Sequence, residues 1–293
     1  MRFLATAILL LIFTLDSLAC LNHYHVNGSG KTTTGRFDLL SFRLVRFEKQ
    51  RMLADYKIVT DTLKKRLSIE YYSDYGALLL KAGYFNKGLE VFRFLNKKKP
   101  NEYNIVANLA TAYELNGKND SALFWINRAL QLNTMSHYGS EWIHKQILEA
   151  KISMQKNPSW LSSHAVFSGT NLKHAEVLDH FGYQLHERIP FTGTPDALMS
   201  EILEQYGDLV LQQASVSEAW KIFSAAKAYN PANPGIDKKI ENARRLTAEF
   251  RAKSPKKTNL RHWPTDKSIE ELVNSFQQHR MVAMAEIKPV LFH

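Results

Sequence analysis

Residues 69–100 read IEYYSDYGALLLKAGYFNKGLEVFRFLNKKKP, and residues 103–134 read YNIVANLATAYELNGKNDSALFWINRALQLNT. Laid over each other at a spacing of 34, the two stretches agree by residue type. Tyr75-Gly76 falls on Leu109-Ala110, Leu79 on Tyr113, Gly83 on Gly117, Gly88 on Ala122, Phe92 on Ile126, Leu95 on Ala129 and Pro100 on Thr134. A third copy, residues 200–231, places Tyr206-Gly207, Val210, Ala214, Ala219, Phe223, Ala226 and Pro231 at the same offsets. The apolar residues recur at i, i+3, i+4 and i+7, which predicts pairs of amphipathic helices. Two antiparallel helices approach closely only where side chains are small. Gly76, Ala110 and Gly207 supply that contact on the first helix of each pair, and Gly88, Ala122 and Ala219 on the second. Pro100 and Pro231 close the second helix and open the next unit.

This pattern resembles the tetratricopeptide repeat (TPR), a helix-turn-helix unit of 34 residues, over about 100 of the 293 residues. The resemblance implies an all-α fold, a right-handed α-solenoid of stacked helix pairs. It also implies that positions 2, 5, 9, 12 and 13 of each first helix line a concave surface. Those are Glu70, Ser73, Ala77, Leu80 and Lys81 in the first pair, and Asn104, Ala107, Thr111, Glu114 and Leu115 in the second. The third pair contributes Glu201, Glu204, Asp208, Leu211 and Gln212. Family members that bind chaperones clamp a C-terminal carboxylate with Lys and Asn on this face. Here Ser73 and Ala77 stand at the first of those positions, so that activity does not carry over. Glu201, Glu204 and Asp208 instead make an acidic strip, either a solvated face or a binding strip.

Outside the repeats, Phe42 to Glu70 reads as one helix leading into the first pair, with Leu44, Phe47 and Met52-Leu53 on its apolar side. Residues 137–199 read as divergent helical filler that continues the stack, with helices over Ser140–Gln155 and Asn171–Arg188. Thr194 is then the expected N-cap of the third pair, with Pro195 as its first helical residue. Gly235 to Ala252 has the polar outer face of a capping helix. Lys253 to Pro264 is a basic linker, and Ser268 to Glu286 opens with a capping-box spacing and carries Ile269, Leu272, Val273 and Phe276 on one face. That last helix is expected to dock, either back on its own solenoid beside the acidic strip or on another protein.

The N-terminus reads as an export signal. Met1-Arg2 is positive, and the apolar run Phe3 to Leu15 is too short to cross a hydrocarbon core of about 30 Å. Ser17-Leu18-Ala19 places small residues before Cys20, the only cysteine, as in a bacterial lipoprotein signal, although Ser17 stands where Leu is usual. The expected organisation is a signal peptide at 1–19, a polar tether at 20–36, an N-terminal helical segment at 37–68 and two repeats at 69–136. It continues with the divergent segment 137–199, a repeat with its cap at 200–252, and the linker and tail at 253–293. Cys20 is the expected lipidation site, holding an exported protein at the membrane in the periplasm; plain secretion is the other outcome of the same cleavage.

Enzyme chemistry finds little support in the sequence. A single cysteine excludes an internal disulfide and a Cys-rich metal module. Gly28-Ser29-Gly30-Lys31-Thr32 is half of a phosphate-binding loop, but His25 stands where the first glycine belongs. Six of the eleven histidines fall between 137 and 186, which invites a metal reading. Yet His174, His180 and His186 are six apart and point in different directions on a helix, and no HExxH occurs. The net charge of +10 hints at an anionic partner, whereas export argues against nucleic acid. The expectation is therefore a non-enzymatic scaffold in the cell envelope, without a cofactor or metal, holding a protein or peptide in its concave groove. The second expectation is a metal-binding protein or enzyme built on the histidine-rich segment 137–199.

Overall fold

The computed structural model describes residues 23–26, 29, 32–35, 49–66, 68–168, 176–253, 269, 271, 273, 274 and 286–289. Cys20, Leu44, Phe47, His174, Leu272, Phe276 and residues 254–264 of the basic linker lie outside them. The described residues form an α-solenoid preceded by one short hairpin. Its helices are α1 (Lys49–Lys65), α2 (Ile69–Lys81), α3 (Phe85–Lys98), α4 (Tyr103–Leu115) and α5 (Asn119–Leu132). They continue as α6 (Glu141–Lys156), α7 (Val177–Arg188), α8 (Ala197–Gln213), α9 (Val216–Tyr229) and α10 (Pro234–Lys253). From α1 to α6 each helix packs on the next, and α8, α9 and α10 form a second tightly packed run, with α7 bridging the two.

The small residues sit where helices touch. A Cβ added to Gly207 would stand 2.4 Å from the Phe223 ring, and one on Gly88 would stand 2.4 Å from Leu80 Cδ2. At Gly76 it would meet Phe92 and Val91 at 2.9 Å. Ala110, Ala122 and Ala219 are fully buried at the corresponding places. Gly83 (φ 89°) and Gly117 (φ 72°) turn the chain between the helices of the first two pairs, a left-handed backbone that glycine adopts without strain.

Three apolar clusters follow the stack. Tyr72, Tyr75, Leu79, Phe92 and Leu95 centre the first, and Val106, Ala110, Ile126 and Leu148 the second. The third is the largest and joins α6 through α10 around Phe181, Tyr206, Phe223 and Tyr229. Burial of this kind, at roughly 25 cal/mol per Å² of apolar surface, is the main force holding helix on helix.

Four expectations change. The single helix over 42–70 is broken within its described part: α1 stops at Lys65, and Ser68 accepts a hydrogen bond from the Tyr71 amide as the N-cap of α2. Competition between the hydroxyl and the backbone favours a fresh start at Ser68 over a continuous helix. The expected polar tether at 20–36 contains two paired strands, β1 (His23–Val26) and β2 (Thr32–Gly35), with His23 opposite Gly35 and Val26 opposite Thr32. The β-branched run Thr32-Thr33-Thr34 favours that extended backbone. The N-cap of α8 is Asp196, whose carboxylate accepts from the Met199 amide at 2.7 Å, and Thr194 instead donates to Asn274 Oδ1 at 2.9 Å. The helix expected from Asn171 begins at Val177 among the described residues.

The described tail residues lie on the solenoid. Ile269 and Val273 are buried in the third cluster, and Ile287 is buried in the first. The described tail residues thus touch both the first and the third apolar clusters.

Candidate functional site

The densest chemistry lies where α4, α6 and α7 meet. Glu114 is near the C-terminal end of α4, at a position expected to face an open groove, yet it is only 7% exposed. Its Oε2 accepts from His144 Nε2 at 2.7 Å. Its Oε1 accepts from Lys151 Nζ and from an Arg188 terminal nitrogen, both at 2.7 Å. His144 and Lys151 are seven apart, two turns along one face of α6, and Arg188 is the last residue of α7. One carboxylate therefore ties three separate elements together.

Glu141 extends the network. It opens α6 and accepts from His137 Nδ1 through Oε1, while the Tyr103 hydroxyl lies 3.4 Å from the same oxygen. Its Oε2 is 3.4 Å from His144 Nδ1 and has no well-formed hydrogen bond among the described residues. His137 and Tyr138 both adopt left-handed backbone (φ 48° and 59°) ahead of Gly139 (φ 78°). That conformation is costly for residues with a Cβ. The His137 ring stacks on Tyr183 of α7 at 5.0 Å, and this contact and the Glu141 bond hold the turn.

Neighbouring charges and burial shift the titration of these groups. Burial pushes Glu114 up, but Arg188, Lys151 and His144 outweigh it and hold the carboxyl well below the usual range. Glu141 is also depressed: burial opposes ionisation, and the hydrogen bond from His137 together with the nearby His144 ring overcomes it. Burial and Arg188 press His144 towards neutrality; Glu114 and Glu141 outweigh both and raise it. His144, between two carboxylates, therefore holds its proton more tightly than an ordinary imidazole. Burial and Glu187 push the Tyr183 hydroxyl up to about 12. With its charges already matched by its own neighbours, this arrangement acts as a clasp between elements.

The remaining groove positions are scattered in environment. Glu70, Lys81, Asn104, Asp208 and Gln212 are exposed, and Ser73, Thr111, Glu201 and Glu204 are half-buried. Glu70 accepts from the Ser68 hydroxyl at the start of α2, and Thr111 bonds back to the Ala107 carbonyl of its own helix. The acidic strip does come together. Lys239 of α10 bridges Glu204 at 2.8 Å and Asp208 at 2.6 Å, while burial and then Glu204 raise the Glu201 carboxyl. Among the described residues the cation that meets the strip is therefore Lys239, not one from the tail. The Arg188 end of α7 lies over the second pair, and Phe191 beyond it packs against the first cluster. Part of the surface expected to await a partner is covered by the chain itself. A cleft of about 500 Å³ between α9 and α10, beside the Lys227–Asp237 pair, includes none of the expected groove residues.

The histidines have local roles. His180 Nδ1 accepts from Trp142 Nε1 at 3.0 Å, His164 stacks on Trp160 at 4.9 Å, and His186 pairs with Glu187 at 3.4 Å. Among the described residues no three His, Cys, Asp or Glu side chains are arranged to hold a metal ion. No described helix is long and apolar enough to cross a membrane.

His137 and His144 fall within the histidine-rich stretch 137–186, but the sequence reading missed their link. Glu141, four residues after one and three before the other, was the available signal. Arg188 lies 74 residues from Glu114, and no local pattern announces that pairing. No protein-family model matches the chain, and no curated protein matches it.

Proposed function

We propose that this protein is an exported scaffold of tetratricopeptide-like helix pairs that binds a protein or peptide and performs no catalysis. The observation that carries the reading is the solenoid itself, whose consecutive helix pairs leave a row of first-helix side chains exposed: Lys81, Asn104, Asp208 and Gln212. Stacked pairs make extended surfaces suited to holding other chains. The Glu114 clasp supports the reading further, because its charges are spent on joining elements. Exposed Phe124 (65%), Met135 (72%) and Tyr138 (76%) add apolar surface around α5 and the turn after it. The signal-like residues 1–19 support export, and Cys20 is the proposed lipid attachment point in the bacterial envelope.

The test is affinity capture from the native envelope with the wild-type chain and with an Asp208→Lys/Gln212→Arg variant. Both positions are exposed, and the half-exposed Asp208–Lys239 pair that the variant removes is worth about 0–1 kcal/mol, so the fold should survive. A defined protein that co-purifies with wild type and is lost from the variant supports the scaffold. Equal capture by both chains, or none by either, removes the proposed surface. In parallel, Cys20→Ala should shift the protein to the soluble fraction or leave it unprocessed; freely soluble wild type would replace anchoring with secretion.

A further inference from the structure

Residues 286–289 lie against α1 and the turn between α2 and α3, more than 200 residues away in sequence. The Ile287 side chain is 1% exposed within the first apolar cluster, whereas Glu286 and Lys288 face outward. The Ile287 carbonyl accepts from the Tyr84 hydroxyl at 2.8 Å, and the Lys288 carbonyl accepts from the Tyr56 hydroxyl. Tyr56 is braced by Tyr75, whose ring centre lies 6.0 Å away. Residues 287–289 belong to no helix or strand. Their carbonyls therefore lack the intrahelical donors that a helix would supply, and Pro289 opposes such a helix. Two phenols from the solenoid donate to successive carbonyls, and one aliphatic side chain fills the space beside them. Main-chain carbonyls are common to every peptide, so the selective element is the single branched aliphatic residue. Helix-on-helix packing elsewhere in this solenoid works through interlocking side chains; this contact has the form of a held peptide.

We propose that the Tyr56–Tyr84 site is a peptide-docking site whose resident occupant is the chain's own tail, and that its external ligand is a non-helical segment presenting one branched aliphatic residue. The site is built from Tyr56, Tyr84 and the first apolar cluster, not from the exposed first-helix side chains of the scaffold reading, and stands independently of it. Tethering gives the tail a high local concentration, so an outside segment binds only by displacing it.

The test uses full-length protein and a fluorescent peptide of residues 282–293 (VAMAEIKPVLFH). In the full chain, Ile287→Asp should expel the tail, because a carboxylate cannot enter the apolar site unpaired. That variant should bind the peptide with one-to-one stoichiometry, at least about 10-fold tighter than the wild-type chain, whose own tail competes. Adding Tyr56→Phe and Tyr84→Phe should weaken binding by about 3–10-fold for each lost hydrogen bond. A peptide carrying Ile287→Asp should not bind. Equal binding by wild-type and variant chains would overturn the proposal, as would no binding by the variant. Loss of the variant's helical circular dichroism would also overturn it, since Ile287 would then be a fixed part of the core rather than a displaceable occupant.

Discussion

Glu114 concentrates more of the molecule's electrostatics than any of its neighbours on α4. Removing it leaves the half-buried Arg188 without its carboxylate and buried His144 with Glu141 alone. Glu114→Ala should therefore cost about 3–5 kcal/mol in denaturant unfolding, whereas exposed Glu90→Ala should change little. The His144 proton gives the clasp a pH dependence. Its folded value is raised, so its stabilisation is complete below the ordinary value of about 6.5 and is lost as pH rises through the folded value. Glu114 and Glu141 are depressed, so their stabilisation is present above about 4.5 and is lost as pH falls towards their folded values. The clasp is strongest between those limits. Unfolding midpoints measured at pH 6 and pH 9 should fall with pH in wild type and fall less in His144→Gln; parallel falls would remove His144 from the account. At this scale the sequence was only partly legible. The helical spacing of His137, Glu141 and His144 could be counted, but the pairing of Arg188 with Glu114 depends on how α7 lies against α4, which no local pattern encodes.

At the scale of elements, the contact between α8 and α9 depends on a missing side chain. The Phe223 ring is fully buried and cannot swing away from a new Cβ at 2.4 Å, so Gly207→Ala should destabilise by about 1–3 kcal/mol. An unchanged unfolding midpoint would mean the two helices have room to separate. The start of α8 makes a second prediction. Asp196→Ala removes the bond to the Met199 amide and should cost about 1 kcal/mol, while Thr194→Ala should leave the helix start intact. Thermal unfolding followed by circular dichroism separates the two variants. Helix faces were legible because apolar periodicity is a local property: Tyr75, Leu79, Phe92 and Ile126 all lie in cores. Helix ends were less so. Thr194 and Asp196 both carry capping side chains two residues apart, and the tertiary bond from Thr194 to Asn274 helps decide between them.

Across the whole molecule, helix pairs build a stack that the Glu114 clasp ties at its middle and whose first and third apolar clusters both receive residues of the tail. The stack follows from repeated local patterns, which is why an α-solenoid could be read from three aligned segments. The tail could be read as amphipathic from Ile269 and Val273, but its destination could not, because Ile287 meets Tyr84 across 203 residues. The same limit applies to the groove. Position counting placed Glu114 on an open face, whereas the Arg188 end of α7 covers it. The central claim is that the exposed first-helix side chains of a non-catalytic solenoid engage another protein. Its most direct test places a photo-crosslinking residue singly at Lys81, Asn104, Asp208 and Gln212, with Glu90 and Lys97 on α3 as controls. In the native envelope the account predicts discrete adducts to one protein from the first-helix positions and none from the controls. Adducts confined to Glu90 and Lys97, or equal from all six positions, would contradict it.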